Sequence, residues 1–557
     1  MRPSNLEIGL EQILCRVLAD SGYTEDSTPI PIQLEIPKVP SHGDLTTNVA
    51  MRLAKVAHKA PTQLAGEIAA ALQQQLGNAG LAGAVREIKV QPPGFINFWL
   101  SDTALYQTLF SILDFPEEYG KVPVKAPVTL VEYVSANPTG PMTVAHGRQA
   151  AFGDALARIL EFLEIPVTRE YYVNDEGRQI GLLGESVLAR ALELQGRTLS
   201  LPEDGYQGEY IVDVAKDLLK DHPEWVKAGK PELARISRFA VEHILKGIRE
   251  DLEVFRVGFD QWTWQSGFRE SGELQGSLDT LKEAGHIFEE EGALWFRSTA
   301  FGDDKDRVVV RANGDSTYLA SDIAYHRQKL QRGFERMVDV WGPDHHGYIA
   351  RIKACIEAFG QDPKALNVIL VQLCSLFRKG QPVRMSTRAG EFVTLRELVD
   401  EVGVDAARFF YLMRKADAHL NFDLELAKER SLENPVYYIQ YAHARICGIL
   451  ERNAGAASVA PGEIEYSLLQ EEVEVAILRR MREFPHSLRV AAGDLEPFQI
   501  IPYLQDLAGL FHRFYDRHRV VTEDPALTAA RCALIRGVRS VLARGLDLLG
   551  VGAPETM

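Results

Sequence analysis

The sequence predicts a multidomain α/β protein. A central parallel-sheet domain with a helical insertion stands between a small N-terminal α/β domain and a C-terminal all-α bundle. Three observations carry this. The chain has 557 residues, more than one hydrophobic core serves, which suggests roughly three or four domains. A strand–loop–helix–strand series begins near residue 128, after proline-rich punctuation. From about residue 424 to the end the periodicity is almost wholly helical. The expected segments are 1–115, 116–423 and 424–557.

In the first segment Leu6, Leu10, Ile13, Leu14 and Val17 recur at helical spacing. A second helical stretch is expected from Leu45 to about Leu76, broken near Pro61. Two short strands, Ile88–Val90 and Phe95–Leu100, flank Pro92-Pro93-Gly94. Pro116 to Pro127 contains three prolines and reads as a linker. Val128–Val134 then reads as a strand, Ala145–Leu163 as a helix and Val167–Val173 as a strand, the βαβ pattern of a parallel sheet. The charged, helical stretch from about 185 to 290 reads as the insertion. Strands are expected again at Arg307–Arg311, Met337–Trp341 and Val368–Gln372, and Ala365–Phe377 reads as a buried strand or helix. Near the C-terminus Leu534, Val538, Val541, Leu542, Leu546 and Leu549 form one apolar stripe.

Composition narrows the function. Hydrophobic residues make up 46% and charged residues 25%, a soluble globular balance. The net charge of −16 argues against a blanket electrostatic grip on nucleic acid but leaves room for local basic patches. The five cysteines are scattered with no Cys-x-x-Cys, so neither a disulfide framework nor a zinc site is expected. Glu7 and Glu11 fall where a secretory signal would be apolar. The longest uncharged run, Ile68 to Val85, holds three Gln, one Asn and three Gly and cannot span a membrane. A cytoplasmic protein is expected.

Two segments carry chemistry. In Val131–Arg148 a strand feeds a polar loop and a helix start, where free N–H groups and the helix dipole favour an anion. His146 can add a donor and Arg148 a positive charge. An ordinary turn shaped by Pro138 and Pro141 explains the same spacing. Neither a P-loop nor Gly-x-Gly-x-x-Gly is present, which removes the main support for common ATPase and dehydrogenase readings. The second segment, Arg378–Gly390, has Gly380 and Gly390 as hinges and carries Arg378, Lys379, Arg384 and Arg388. Cations closing over a reacting phosphate stabilise its transition state; taken alone, the loop is more commonly a solvated basic surface. Between Phe511 and Arg544 there are seven Arg and three acids, an electrostatic footprint for nucleic acid or a solvated helix face. Tyr438 and Tyr441, spaced i, i+3, suit stacking on unpaired bases or a place in the core.

The Val131–Arg148 segment resembles the HIGH signature of class I aminoacyl-tRNA synthetases in its arginyl form. Thr143 stands at the first His and Ala145 at the Gly, with His146 kept. Tyr171–Ile180, Gly302–Arg307, Thr317–His326, Gly342–Tyr348, Asn434–Arg445 and Leu549–Met557 are similar to further stretches of that family, in order over essentially the whole chain. Arg378–Gly390 resembles its KMSKS loop, with Arg384 and Thr387 at the two lysines and Met385 and Ser386 matching. Gly140 occupies the place where some arginyl enzymes carry a compensating lysine.

The resemblance implies a class I Rossmann-like catalytic domain, a tRNA-contacting N-terminal domain and an anticodon-binding helical bundle. It implies ATP-dependent ligation of L-arginine to its tRNA through an arginyl-adenylate, with Mg2+ accompanying ATP, no zinc, no DNA, no membrane and a monomeric chain. Thr143, His146, Arg384 and Arg388 are implied as catalytic. Ala145, His146, Gly342, Asp344, His345, Met385 and Ser386 would bind ATP. Tyr318 and Asp322, four apart on one helix face, would take the guanidinium, for which a carboxylate and a nearby hydroxyl are suited. Ser135 and Asn137, with Glu132 and His346, would complete the arginine site. Tyr438, Tyr441, Arg513 and Met557 would contact tRNA. Two alternatives stand beside this reading. One is a synthetase-like paralogue that charges nothing, suggested by Thr143, Ala145, Arg384 and Thr387. The other is a class I enzyme of another specificity such as the cysteinyl type, against which the missing paired Cys and His ligands count.

Overall fold

The computed structural model describes residues 6–23, 34–78, 81, 83–122, 126–197, 199–227, 231–383 and 393–557. At the N-terminus, helices Leu6–Asp20 and Pro61–Asn78 pack with a three-stranded antiparallel sheet whose middle strand is Phe95–Leu100. Leu14, Leu18, Leu64, Leu72 and Phe98 belong to its own hydrophobic cluster. The helix expected from Leu45 begins instead with a strand, Leu45–Thr47. Asp44 explains the difference. Its N–H donates to the Phe98 carbonyl (2.8 Å) and its carboxylate accepts from the Leu100 N–H (2.8 Å), which pins the β-branched Thr46 and Thr47 to the sheet edge.

The central sheet has five strands in the spatial order Leu366–Leu370, Arg336–Trp341, Thr129–Glu132, Val167–Val173, Gln261–Trp264. Every neighbouring pair is parallel. Helix Val144–Phe162 makes the crossover between the neighbouring parallel strands Thr129–Glu132 and Val167–Val173. Gly153 allows it to lie close, since a Cβ there would sit 2.2 Å from the Tyr133 ring.

Three expectations need correction here. Helices Arg178–Leu194, Glu209–Asp221 and Leu233–Val254 fill the first part of the stretch read as an insertion, but Gln261–Trp264 has already rejoined the parallel sheet. Four residues are too few to show a strand period. Arg307–Val310 is a strand of a separate antiparallel sheet with Ile287–Glu290 and Ala293–Phe296, not of the central one. Ala365–Phe377 is divided: Leu366–Leu370 edges the parallel sheet, and Cys374–Arg378 pairs with Leu420–Asp423.

From residue 424 onward the described chain is helical, with the long helices Pro435–Arg452, Ile500–Arg517 and Pro525–Leu548. Asn434 and Asp524 cap two of them by accepting the Val436 N–H (3.2 Å) and the Ala526 N–H (2.8 Å). The predicted stripe from Leu534 to Leu549 is buried throughout. Among the described residues no helix is long and apolar enough to cross a membrane.

The strand order reverses beside Thr129–Glu132, where one connection leads to Val167–Val173 and the neighbour on the other side is Arg336–Trp341. Such a switch point opens a crevice at the carboxyl ends of the two strands.

Candidate active site

A cavity of about 570 Å3 lies at that crevice, within the range of small-molecule sites. The residues after Thr129–Glu132 shape one wall. Val134 (φ 67°) and Ser135 (φ 38°) are consecutive left-handed residues, a conformation that costs a β-branched side chain most. Their surroundings enforce it. The Ser135 N–H donates to the Tyr133 carbonyl (2.9 Å), and its Oγ donates to Glu132 Oε1 (3.0 Å) and accepts from the Tyr172 N–H (3.1 Å). Ser135 and Asn137 both line the cavity, and Asn137 Nδ2 donates to Gln179 Oε1 (2.9 Å).

The N-terminus of helix Val144–Phe162 forms the next wall, with Ala145, His146 and Gln149. His146 Nδ1 accepts from the Thr143 N–H (3.1 Å), so the neutral ring carries its proton on Nε2 and is a donor there. Burial lowers its pKa to about 4. Thr143, expected as catalytic, caps the helix: its hydroxyl lies 3.3 Å from the same His146 nitrogen, and it does not line the cavity. Arg148, expected to bring charge to an anion, is buried and donates to the Gln372 (2.7 Å) and Lys415 (2.9 Å) carbonyls. At Gly140 a Cβ would lie 3.2 Å from the Tyr210 hydroxyl, which donates to the Thr139 carbonyl (2.9 Å). In the basic loop Arg378 is held bidentately by Glu401 (2.7 and 2.8 Å). Arg384, Met385, Ser386, Thr387 and Arg388 lie outside the described residues.

Helix Tyr318–Gln331 supplies the third wall. Tyr318 and Asp322 line the cavity as the i, i+4 spacing implied. Asp322 Oδ2 accepts from the Tyr348 hydroxyl (2.7 Å). Burial raises the Asp322 pKa, and the Tyr348 hydrogen bond opposes the rise. Beneath lies a sealed ionic cluster. Lys329, fully buried, donates to Glu132 Oε2 (2.6 Å) and Asp339 Oδ1 (3.0 Å). Tyr325 donates to Glu132 Oε2 (2.9 Å), and His326 Nε2 lies 3.1 Å from Asp339 Oδ2. Sheet register sets Asp339 opposite Glu132. Burial works against the Asp339 charge, but Lys329 and His326 outweigh it and hold its pKa at about 2. Glu132, expected to contact arginine, lines the cavity and accepts from Ser135, Tyr325 and Lys329, three of the roughly four bonds a carboxylate can accept.

The turn Pro343–Tyr348 closes the crevice from the other strand. Gly342, Asp344 and His345 line the cavity, while His346 is exposed and does not. Of this turn's two histidines, His345, expected at ATP, lines the cavity, and His346, expected at the arginine, does not. Sequence reasoning missed Gln149, Tyr172, Asn174, Trp341 and Tyr348, all of which line the cavity. Tyr172, Asn174 and Tyr348 sit inside quoted motifs, which was their only signal.

The helical C-terminal segment carries an aromatic surface. Tyr437 stacks on Tyr441 (5.8 Å, 10°), Tyr441 on His512 (6.1 Å, 22°), and Arg445 lies over Tyr441 (5.0 Å) and Tyr515 (4.5 Å). Tyr438 and Arg513 line a shallow cavity with Arg480. The basic stretch is narrower than its composition suggested. Arg531 is buried against Glu474 (2.7 Å), Arg536 donates to the Val459 carbonyl (3.3 Å), and Arg544 pairs with Glu117 and Asp547. Arg513, Arg517 and Arg519 are exposed, as is Met557.

Comparison with known proteins gives one result along the chain. The family described as "tRNA synthetases class I (R), catalytic domain" matches residues 111–421. "Arginyl tRNA synthetase N terminal domain" matches 9–100, and "DALR anticodon binding domain" matches 439–557. The chain is 48% identical to the arginine–tRNA ligase of Desulfosudis oleivorans, covering 94% of this chain and 95% of that one. It is 44% identical to the arginine–tRNA ligase of Thioalkalivibrio sulfidiphilus, covering 97% of each. The solved Thermus thermophilus arginyl-tRNA synthetase shares the fold, with a TM-score of 0.79 at 24% identity over 99% of this chain and 100% of that one.

Proposed function

The chain belongs to the class I arginyl-tRNA synthetase family and has its activity, the ATP-dependent attachment of arginine to tRNA; we propose that the cavity at the switch point is where the arginyl-adenylate forms, with the following division of labour. Asp322, steadied by Tyr348, takes the arginine guanidinium, and Tyr318 closes over it. Ser135 and Asn137 hold the amino and carboxylate end. The triphosphate lies along the N-terminus of helix Val144–Phe162, where the dipole favours it and His146 donates from Nε2. Adenine rests against Ala145, Gly342, Asp344 and His345. A carboxylate oxygen of arginine attacks the α-phosphorus, the bond to pyrophosphate breaks, and the acyl-adenylate results. A terminal ribose hydroxyl of tRNA then attacks the acyl carbon and AMP leaves.

Mg2+ enters with ATP as the counter-ion of the triphosphate. Among the described residues no group of three or more His, Cys, Asp or Glu side chains is placed to hold a metal ion. Arg384 and Arg388 supply the protein's positive charge over the phosphates. Segment 116–423 does the chemistry, 424–557 reads the anticodon with Tyr438, Tyr441, Arg513 and Met557, and 1–115 contacts the tRNA body. The reading takes the protein as cytoplasmic and its working unit as a monomer, in keeping with every group named coming from one chain. The non-charging alternative draws only on the altered signature residues, and near full-length similarity to arginine–tRNA ligases weighs against it.

The observation that carries the reading is Asp322, half-buried, held by Tyr348 and set four residues after Tyr318 on the cavity wall. A buried charged hydrogen bond is worth about 2–5 kcal/mol, so Asp322→Asn should lower kcat/KM for arginine by at least ~100-fold in pyrophosphate exchange with tRNA present. An unchanged value would remove Asp322 from the substrate site.

A further inference from the structure

Two polar atoms of the cavity wall have no hydrogen-bond partner among the described residues and are sealed from solvent: Tyr172 Oη and Asn174 Oδ1. Both come from the end of strand Val167–Val173 and the residue after it. The Tyr172 ring is fixed. It stacks on Tyr325 with centroids 4.4 Å apart and planes at 22°, and its N–H donates to Ser135 Oγ (3.1 Å). Burial, with the charges of Asp322 and Glu132 nearby, raises the phenol pKa well above its ordinary value, so the oxygen keeps its proton. Buried polar groups are nearly always paired, and each exception calls for an explanation. Two exceptions on one wall of one cavity point to something that both bind.

Counting donors identifies it. A guanidinium presents five N–H donors and no acceptor. Asp322 can take two in a bidentate pair, and its Oδ2 already accepts from Tyr348. Glu132 already accepts from Ser135, Tyr325 and Lys329. Three guanidinium N–H groups are left for other acceptors, the Tyr318 hydroxyl among them, and an unmade hydrogen bond inside the cavity is costly. We propose that Tyr172 Oη and Asn174 Oδ1 accept two of these three N–H groups, leaving one for Tyr318, and so act as specificity-determining residues for arginine. The inference rests on the reading of this cavity as the arginine site. It makes the wall selective by donor number. Citrulline replaces one NH2 by an oxygen, removes two donors and sets an acceptor in their place.

Tyr172→Phe deletes only the oxygen and keeps the stack on Tyr325; Asn174→Ala removes the second acceptor. Charging kinetics and thermal melting of the full chain test both, with Asp322→Asn alongside. The expected result for each of the two variants is a KM for arginine raised about tenfold or more with kcat nearly unchanged, the pattern of lost ground-state binding. The unliganded Tyr172→Phe chain should melt no lower than wild type, because the deleted hydroxyl makes no bond in the free protein. If Asp322→Asn weakens arginine use while Tyr172→Phe and Asn174→Ala keep the wild-type KM, the inference fails and the arginine site stands. If Tyr172→Phe melts lower and keeps the wild-type KM, the hydroxyl serves the fold and the inference also fails. If Asp322→Asn itself has no effect, the site assignment fails and takes the inference with it.

Discussion

His146 illustrates how a single side chain acquires its task. Its Nδ1 is committed to the Thr143 N–H, which leaves Nε2–H as the outward donor. Burial holds the folded pKa at about 4 against an ordinary 6.5. Between those values the unfolded chain binds the proton better. Stability is therefore unaffected by this group above pH ~6.5 and falls as the pH drops from there toward 4. In a titration followed by NMR the His146 ring should show a midpoint near 4, and pyrophosphate exchange should show no inflection near 6.5 that His146→Asn abolishes. A midpoint near 6.5 would mean an open, solvated ring. His146→Ala should lower kcat of adenylate formation more than it raises KM for arginine, because its contact strengthens as phosphate charge develops. Residues of this kind were legible: His146, Asp322 and Tyr318 follow from local spacing and motif. The Lys329–Glu132 pair was not, because its partners are 197 positions apart and meet only through sheet register. Arg148 misled for the same reason, since the carbonyls that hold it lie 224 and 267 positions away.

At the scale of elements, the loop around Arg384 and the turn at Gly140 belong together. The place that a compensating lysine would occupy is glycine, and Tyr210 crowds any side chain added there. The cation over the phosphates must then come from another element, and Arg384 and Arg388 are the candidates. Removing one such charge costs a few kcal/mol of transition-state stabilisation. Arg384→Ala or Arg388→Ala should accordingly lower kcat of pyrophosphate exchange by roughly 10²–10³; wild-type rates for both would make the loop a spectator. Gly140→Lys should not rescue either variant, because Tyr210 stands in the way. Long helices such as Val144–Phe162 and Pro525–Leu548 were readable because many turns repeat the apolar spacing. Four-residue strands such as Gln261–Trp264 offer no repeat, and their membership of a sheet is decided by distant partners.

The whole molecule is acidic, yet it handles a polyanion. Exposed Arg513, Arg517 and Arg519 lie at the end of helix Ile500–Arg517 and the turn after it, beside the stacked Tyr437, Tyr441 and His512. Arg513→Ala should therefore raise the KM for tRNA about 5- to 10-fold and flatten its dependence on salt, with the KM for arginine unchanged; equal tRNA KM values at all salt concentrations would move the RNA-binding face elsewhere. Ion pairs tie the N-terminal segment to the C-terminal one and brace the central one. Arg482 pairs with Glu7 (2.8 Å) and Arg489 with Glu11 (2.8 Å) across the N- and C-terminal segments, and Arg408 pairs with Asp154 (2.5 Å) inside the central one. That docking was invisible in the sequence, where Glu7 and Glu11 read only as charges out of place in a secretory signal. The division into α/β, parallel-sheet and helical parts was visible, because helical and strand periods alternate in the first two parts, either side of a proline-rich stretch, and only the helical period remains after about residue 424. The central claim is that a cavity built around Asp322 selects arginine for attachment to tRNA. Aminoacylation of total tRNA with ATP and each of the twenty labelled amino acids tests it most directly. The account predicts that arginine alone is transferred. Transfer of lysine at comparable efficiency, or of no amino acid at all, would contradict it.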